Sequence, residues 1–196
     1  MSTPTLFSPK PESDDSALPR ILVAEDSLTS VAVISRDLRE YYTLIHARDG
    51  EMAWGILLSE PRIELVITDV QMPNLSGQQL LKLIRLSPEK RINSLPVIVM
   101  TTAEDSAEKH LAFLNGANDF LNKPVDSLEL QARVNVHHRL ARIIRELEDS
   151  KKALAELATT DSLTKLKNRR LFYTQAAQNL SACRRAESRG PGEGID

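Results

Sequence analysis

Short apolar runs closed by polar or acidic residues recur along the chain, and stretches with helical spacing separate them. The run Arg20 to Ala24 (RILVA) passes directly into Glu25 and Asp26 and then into SLTS, which opens a helix. Leu65 to Thr68 ends at Asp69, and the loop beyond it carries Pro73 and Gly77 before the next helix. Pro96 to Met100 (PVIVM) leads to Thr101 and Thr102, and Asp119 to Asn122 (DFLN) leads to Lys123 and Pro124. Trp54 and the Leu, Ile and Met residues around it fit the core face of a helix. Strands alternating with helices predict an α/β domain built on a parallel sheet.

The chemistry sits where these runs end. In an open α/β sheet, ligands bind outside the carboxyl ends of the strands, where the strand-to-helix loops converge. Four such ends offer the acids Glu25, Asp26 and Asp69, the hydroxyl of Thr101 and the ammonium of Lys123. If the first, third, fourth and fifth strands lie side by side, these groups share one small cleft. A single carboxylate just before a helix is more simply an N-cap, but three acids facing a lysine reverse that reading. Paired acids are a poor seat for a ready-made phosphate ligand, which prefers glycines and free N–H groups, and they suit a metal. A phosphohydrolase of the haloacid type needs a second acid two residues after its nucleophile, and Gln71 stands there. Pro124 points to a fixed loop that aims Lys123, with a cis peptide as one form.

Taken in order, the segments ED, DVQMPNLSG, VMTTAED and GANDFLNKPV resemble the receiver domain of two-component response regulators, over roughly Arg20 to His138. Four separate motifs with Thr101 and Lys123 22 positions apart make the likeness specific. The resemblance implies a doubly wound, five-stranded parallel sheet of order 2-1-3-4-5, flavodoxin-like, here with an extended C-terminal helix. It implies Asp69 as phosphoacceptor, with a sensor histidine kinase or phosphotransfer protein as donor. Mg2+ is the expected cofactor, because it takes oxygen ligands, keeps several waters and is commonly held by one or two carboxylates plus phosphate. Asp26 and Asp69 would bind it directly. By the resemblance, Glu25 acts through a metal-bound water and the backbone carbonyl of Gln71 adds a ligand. Lys123 would contact the phosphoryl group and Thr101 would move to hydrogen-bond it. Phe120 matches the family's rotating aromatic and, lacking a hydroxyl, reports by packing.

Two departures from the commonest receiver pattern are informative. Glu25 stands where aspartate is more frequent, and its extra methylene suits an outer role better than direct coordination. Thr102 stands where alanine is often found beside the switch hydroxyl, and the spacing to Lys123 favours Thr101.

At 196 residues with 41% hydrophobic side chains, the chain is long enough to bury one full core. A net charge of −2 gives no general attraction to nucleic acid. Lys165, Lys167, Arg169 and Arg170 cluster without interleaved aromatics or a helix-turn-helix pattern, so nucleic acid is not an expected partner. The single cysteine, Cys183, excludes an internal disulfide framework and fits a reducing cytoplasm. Residues 1–19, rich in Ser, Pro and acids, read as a disordered leader rather than a targeting peptide. No apolar stretch approaches the length of a bilayer span, so a cytoplasmic protein without a membrane partner is expected.

Beyond Pro124 the spacing turns helical, and Asp126 with Glu129 makes a cap-like start. Val136, Leu140, Ile143, Leu147, Leu154 and Leu157 fall on alternating steps of four and three, broken only at Ser150. That is a heptad seam, which predicts a signalling helix or coiled-coil linker over 139–159. His137 and His138 point about 100° apart on such a helix and chelate poorly; solvated or seam-flanking positions are expected for both. His46 and His110 are expected to be packed or surface residues.

Residues 160–196 contain DSLTKLKNRRLF, which is similar to the opening of a GGDEF diguanylate cyclase domain, without that domain's metal-binding strand or GGDEF hairpin. Two readings follow. In one, the chain is a response regulator, not itself an enzyme, whose phosphorylation switches assembly or output through the C-terminal helix. In the other, it is the N-terminal regulatory part of a diguanylate cyclase whose catalytic domain is missing from this chain. Homodimerisation on phosphorylation is expected through the family's fourth helix, fifth strand and fifth helix and through the seam.

Overall fold

The computed structural model describes residues 18–102 and 106–159. The leader, apart from Leu18 and Pro19, lies outside the described residues, as do the GGDEF-like segment 160–196 and the side chain of Leu157. The chain divides into two compact units between Ile143 and Ile144.

In the first unit the order is β1 Arg20–Ala24, α1 Leu28–Leu38, β2 Thr43–Ala47, α2 Gly50–Ser59, β3 Ile63–Asp69 and α3 Gly77–Leu86. A short α4 (Lys90–Asn93), β4 Val97–Thr102, α5 Ser106–Leu114, β5 Asp119–Lys123 and the long α6 (Ser127–Thr159) follow. All neighbouring strands pair in parallel and the sheet order is β2-β1-β3-β4-β5, as the resemblance implied. The extra α4 shifts the numbering, so the face formed by the family's fourth helix, fifth strand and fifth helix is α5-β5-α6 here.

Strand alternation divides the core into two layers, because successive side chains point to opposite faces of a sheet. Leu22, Val66, Val97 and Val99 face α2, α3 and α5, where Leu57, Leu80, Leu81, Ile84 and Ala112 are buried. Ile21, Val23, Leu65, Ile67, Ile98 and Leu121 face Ile34 and Leu38 of α1 and Leu130 and Val134 of α6. Both faces are covered, so the strands read as continuous apolar runs rather than alternating ones. Each fully buried Leu or Ile contributes roughly 1.5–3 kcal/mol relative to exposure.

The helices begin where the sequence supplies caps. The Ser27 hydroxyl accepts from Ser30 N, the Asp49 carboxylate from Met52 N, and Ser76 with Gln79 forms a capping box at α3. Asp126 Oδ1 accepts from Glu129 N at 2.9 Å, which opens α6 as expected. Trp54 packs partly buried against the first core layer.

The described part of the second unit, from Ile144 to Thr159, is the remainder of α6, and the side chains described there, through Glu156, are exposed. Along the seam, Val136, Leu140, Ile143, Leu147 and Leu154 are each between 47% and 66% exposed. No described helix is long and apolar enough to cross a membrane.

Candidate functional site

The carboxyl ends of β1, β3, β4 and β5 carry the residues singled out by sequence. Ala24 pairs with Thr68, which sets Glu25 at the level of Asp69, and Glu25 N continues the pairing to Ala47 O at 2.9 Å. Asp69 pairs with Met100, Thr101 with Asn122, and Thr102 with Lys123. Glu25, Asp69 and Lys123 share strand parity with Val23, Ile67 and Leu121, so alternation sends all three to the same side of the sheet. They meet there: Lys123 Nζ lies 2.8 Å from Glu25 Oε2 and 2.8 Å from Asp69 Oδ2.

Neither Asp26 nor Asp69 is consumed as a helix cap. Ser27 caps α1 and Ser76 caps α3, leaving the acids free for other work. One carboxylate oxygen from each of Glu25, Asp26 and Asp69 lies within 4.8 Å of the others. Glu25 and Asp69 are buried and Asp26 is exposed. Glu25 Oε1 accepts from Ser27 N at 3.0 Å. Its Oε2 is buried and lies near the Lys123 ammonium without a well-directed hydrogen bond. Three hard oxygen donors, one of them incompletely satisfied, fit a magnesium-sized cation. Gln71, exposed, follows Asp69 by two residues.

The electrostatics agree with a site short of positive charge. Burial is the largest influence on Glu25 and raises its pKa; the neighbouring Asp69 charge adds to this, and Lys123 and the Ser27 N–H offset only part. Burial pushes the Lys123 ammonium down, but the close Asp69 and Glu25 carboxylates outweigh it and the net direction is up.

The backbone under Asp69 is tightly held. Thr68 Oγ1 donates to Asp69 O at 3.1 Å, Val70 N to Met100 O at 3.1 Å, and Gly77 N to Val70 O at 3.0 Å. A Cβ at Gly77 would overlap the Asp69 carbonyl, so only glycine lets α3 start this close to the strand. Residues not singled out by sequence stitch the β3–α3 loop to α2. Asn74, at φ 60°, donates from Nδ2 to Asp49 Oδ2 at 3.0 Å, and Gly50 N donates to Leu75 O at 3.0 Å. The Asp49-Gly50 cap signal and an Asn following Pro73 were the clues to this seam between loops.

Thr101 is buried and Thr102 exposed, and Thr101 Oγ1 donates to Thr102 O at 3.5 Å. The Lys123–Pro124 peptide is cis. Phe120 is half-buried between two helices. Its ring makes an edge contact with Phe113 of α5 at 5.6 Å, Lys109 Nζ lies 5.1 Å from its centre, and Arg133 Cζ of α6 lies 5.6 Å from it.

Two of the four histidines, His137 and His138, differ from expectation. His138 is buried, bonded through Nε2 to Glu64 at 2.9 Å and packed edge-on against Tyr42. His137 bonds Asp119 at 2.9 Å. Neither is solvated or merely flanks the seam, because both lie on the part of α6 that packs against the sheet. His46 sits on β2 with Nε2 3.3 Å from Ser35 Oγ, and His110 is exposed on α5.

Comparison with known proteins places this architecture. The chain is 38% identical over 141 residues to the response regulator GtcR of Aneurinibacillus migulanus, covering 71% of this chain and 55% of that protein. It is 31% identical over 156 residues to the response regulator PleD of Caulobacter vibrioides, covering 80% of this chain and 34% of that one. The solved structure of a protein described as a probable two-component system response regulator/GGDEF domain protein superposes with a TM-score of 0.58 at 30% identity, over 63% of this chain and 50% of that chain. The matched stretch thus spans about half or less of each of these proteins. The response regulator receiver domain family matches residues 21–135, more than half of the chain, and the chain belongs to that family of two-component signalling proteins.

Proposed function

We propose that this receiver accepts a phosphoryl group on Asp69 and converts the new charge into a change of assembly through α6. The observation that carries the reading is the Lys123 ammonium, 2.8 Å from both Glu25 and Asp69 at the edge where three carboxylates converge. Receiver domains are phosphorylated by histidine kinases or phosphotransfer proteins and bind Mg2+ at an acidic pocket. Here Asp26 and Asp69 would hold the metal directly, Glu25 through a water, and Gln71 through its backbone carbonyl. When bound, Mg2+ supplies positive charge to the phosphoryl oxygens and orients them.

The chain's own residues do the rest. An Asp69 carboxylate oxygen attacks phosphorus while the donor's bond to phosphorus breaks and the donor leaves with that electron pair. Lys123 exchanges its contact with the Asp69 carboxylate for one with the transferred group, which carries roughly −1.5 to −2 charges. Thr101 donates its hydroxyl to the same group. Phe120, whose ring has no hydroxyl and is held by Phe113, Lys109 and Arg133, follows Thr101 and repacks the α5-β5-α6 face. Homodimerisation through this face and through Val136, Leu140, Ile143, Leu147, Leu154 and Leu157 is the proposed output.

Borohydride reduction after phosphorylation tests the assignment, since it converts an aspartyl phosphate to homoserine. Peptide mass spectrometry should find homoserine at position 69; an unmodified Asp69 in a protein that has gained phosphate would overturn it.

A second reading, the regulatory part of a diguanylate cyclase, draws on the DSLTKLKNRRLF segment and on the likeness to the response regulator/GGDEF domain protein. This chain by itself should make no cyclic di-GMP from GTP, and product above background from pure protein would refute that.

A further inference from the structure

Two adjacent histidines on α6 reach two different strands. His137 Nε2 lies 2.9 Å from Asp119 Oδ2 at the start of β5, and His138 Nε2 lies 2.9 Å from Glu64 Oε2 near the start of β3. Ten residues of helix from Ser127 advance about 15 Å. From Asp119 to Lys123, β5 advances about 13 Å. Running back along the sheet from the loop after Lys123, α6 therefore arrives at the amino ends of the strands just where these histidines stand. His138 is also the last buried side chain of α6 among the described residues.

The latch is not isolated from the switch. Asp119 immediately precedes Phe120, and its Oδ1 accepts from Phe120 N at 2.9 Å. The same Oδ1 pairs with Arg133, whose guanidinium also binds Glu129 and lies 5.6 Å from the centre of the Phe120 ring. One carboxylate thus joins the backbone of the aromatic, the guanidinium over its ring and the imidazole of His137. Burial acts most strongly on Asp119 and would raise its pKa, yet the Arg133, His137 and Phe120 N–H bonds together bring it below the ordinary carboxylate value.

We propose that His137–Asp119 and His138–Glu64 form a latch that docks the exit turn of α6, and that Asp119 and Arg133 couple this latch to Phe120. A displaced Phe120 ring pulls on Arg133, Arg133 pulls on Asp119, and the His137 half of the latch loosens. The coupling rests on the reading of Phe120 as the residue that moves on phosphorylation; the latch itself does not.

Amide hydrogen exchange on the full chain separates the two. In the resting protein, His137→Gln and His138→Gln should each speed exchange over 134–141 by about tenfold, the effect of losing one charge-assisted bond. Unchanged exchange in both variants overturns the latch. With beryllofluoride and Mg2+ as the phosphoryl probe, the wild type should gain protection at 68–71 and exchange faster at 134–141. In Phe120→Leu the protection at 68–71 should persist while the change at 134–141 disappears. If the change at 134–141 survives in that variant, or never occurs in a wild type protected at 68–71, the coupling is overturned. Loss of the 68–71 response in the wild type instead refutes the phosphoacceptor reading and leaves the resting comparison to decide the latch.

Discussion

Replacing Lys123 with methionine removes the ammonium that separates two buried carboxylates. Each of its two contacts spans 2.8 Å, which at an effective dielectric near 20 is a gross attraction of about 6 kcal/mol. Desolvation of the charges cancels most of that sum. Removing one partner of a buried ion pair costs about 3–5 kcal/mol, and the 24% exposure of the lysine side chain places this site near 3 kcal/mol. Urea unfolding in EDTA at pH 8 should therefore show Lys123→Met less stable than the wild type by about 3 kcal/mol. The pH dependence has a definite sign. Glu25 already has a raised folded pKa, so the stability it contributes is present below its unfolded value and is lost as pH rises through the folded one. Without Lys123 that value rises further, and lowering the pH from 8 should close part of the gap to the wild type. Saturating Mg2+ should restore more stability to the variant than it adds to the wild type, because it replaces the missing positive charge. A variant as stable as the wild type in EDTA, or a deficit indifferent to both pH and Mg2+, would refute the idea that Lys123 neutralises this cluster.

Three other outcomes are expected. Asp26→Asn should weaken Mg2+ binding more than Glu25→Gln in isothermal titration, since Asp26 is assigned to direct coordination and Glu25 to the outer shell; equal losses contradict that division. Arg85 donates to Gly116 O, Asn93 O, Leu95 O and Asn118 Oδ1 at 2.8–3.0 Å, with neutral acceptors throughout, so Arg85→Met should cost about 2–3 kcal/mol in thermal or urea unfolding without affecting phosphate uptake. Leu140→Lys or Leu147→Lys should weaken dimerisation of the beryllofluoride complex by light scattering; normal dimers from both variants remove the seam from the account.

Much of the site was legible because it lies where strand patterns end. The runs before Glu25, Asp69, Thr101 and Lys123 are apolar, short and bounded, and parallel pairing brings such ends together whatever the loops do. Shared parity of Glu25, Asp69 and Lys123 was equally implicit in the spacing. The strand order was not: it rested on resemblance, since alternating strands and helices are compatible with several sheets. Side-chain partners across elements were hidden for a different reason. His138 looked like an exposed helical polar residue because its acceptor, Glu64, is 74 positions away. Arg85 likewise gives no local sign that it binds carbonyls on both sides of β4. Gly77 was noted as a loop residue, but the close approach to the Asp69 carbonyl that requires it appears only in three dimensions.

The central claim is that Asp69 is the residue that receives phosphate, and that it does so with Mg2+. Intact mass after incubation with acetyl phosphate tests it most directly, on the wild type with Mg2+, the wild type with EDTA, and Asp69→Asn with Mg2+. One added phosphate is expected in the first sample and none in the other two. A phosphate gained by Asp69→Asn, or by the wild type in EDTA to the same extent, would contradict it.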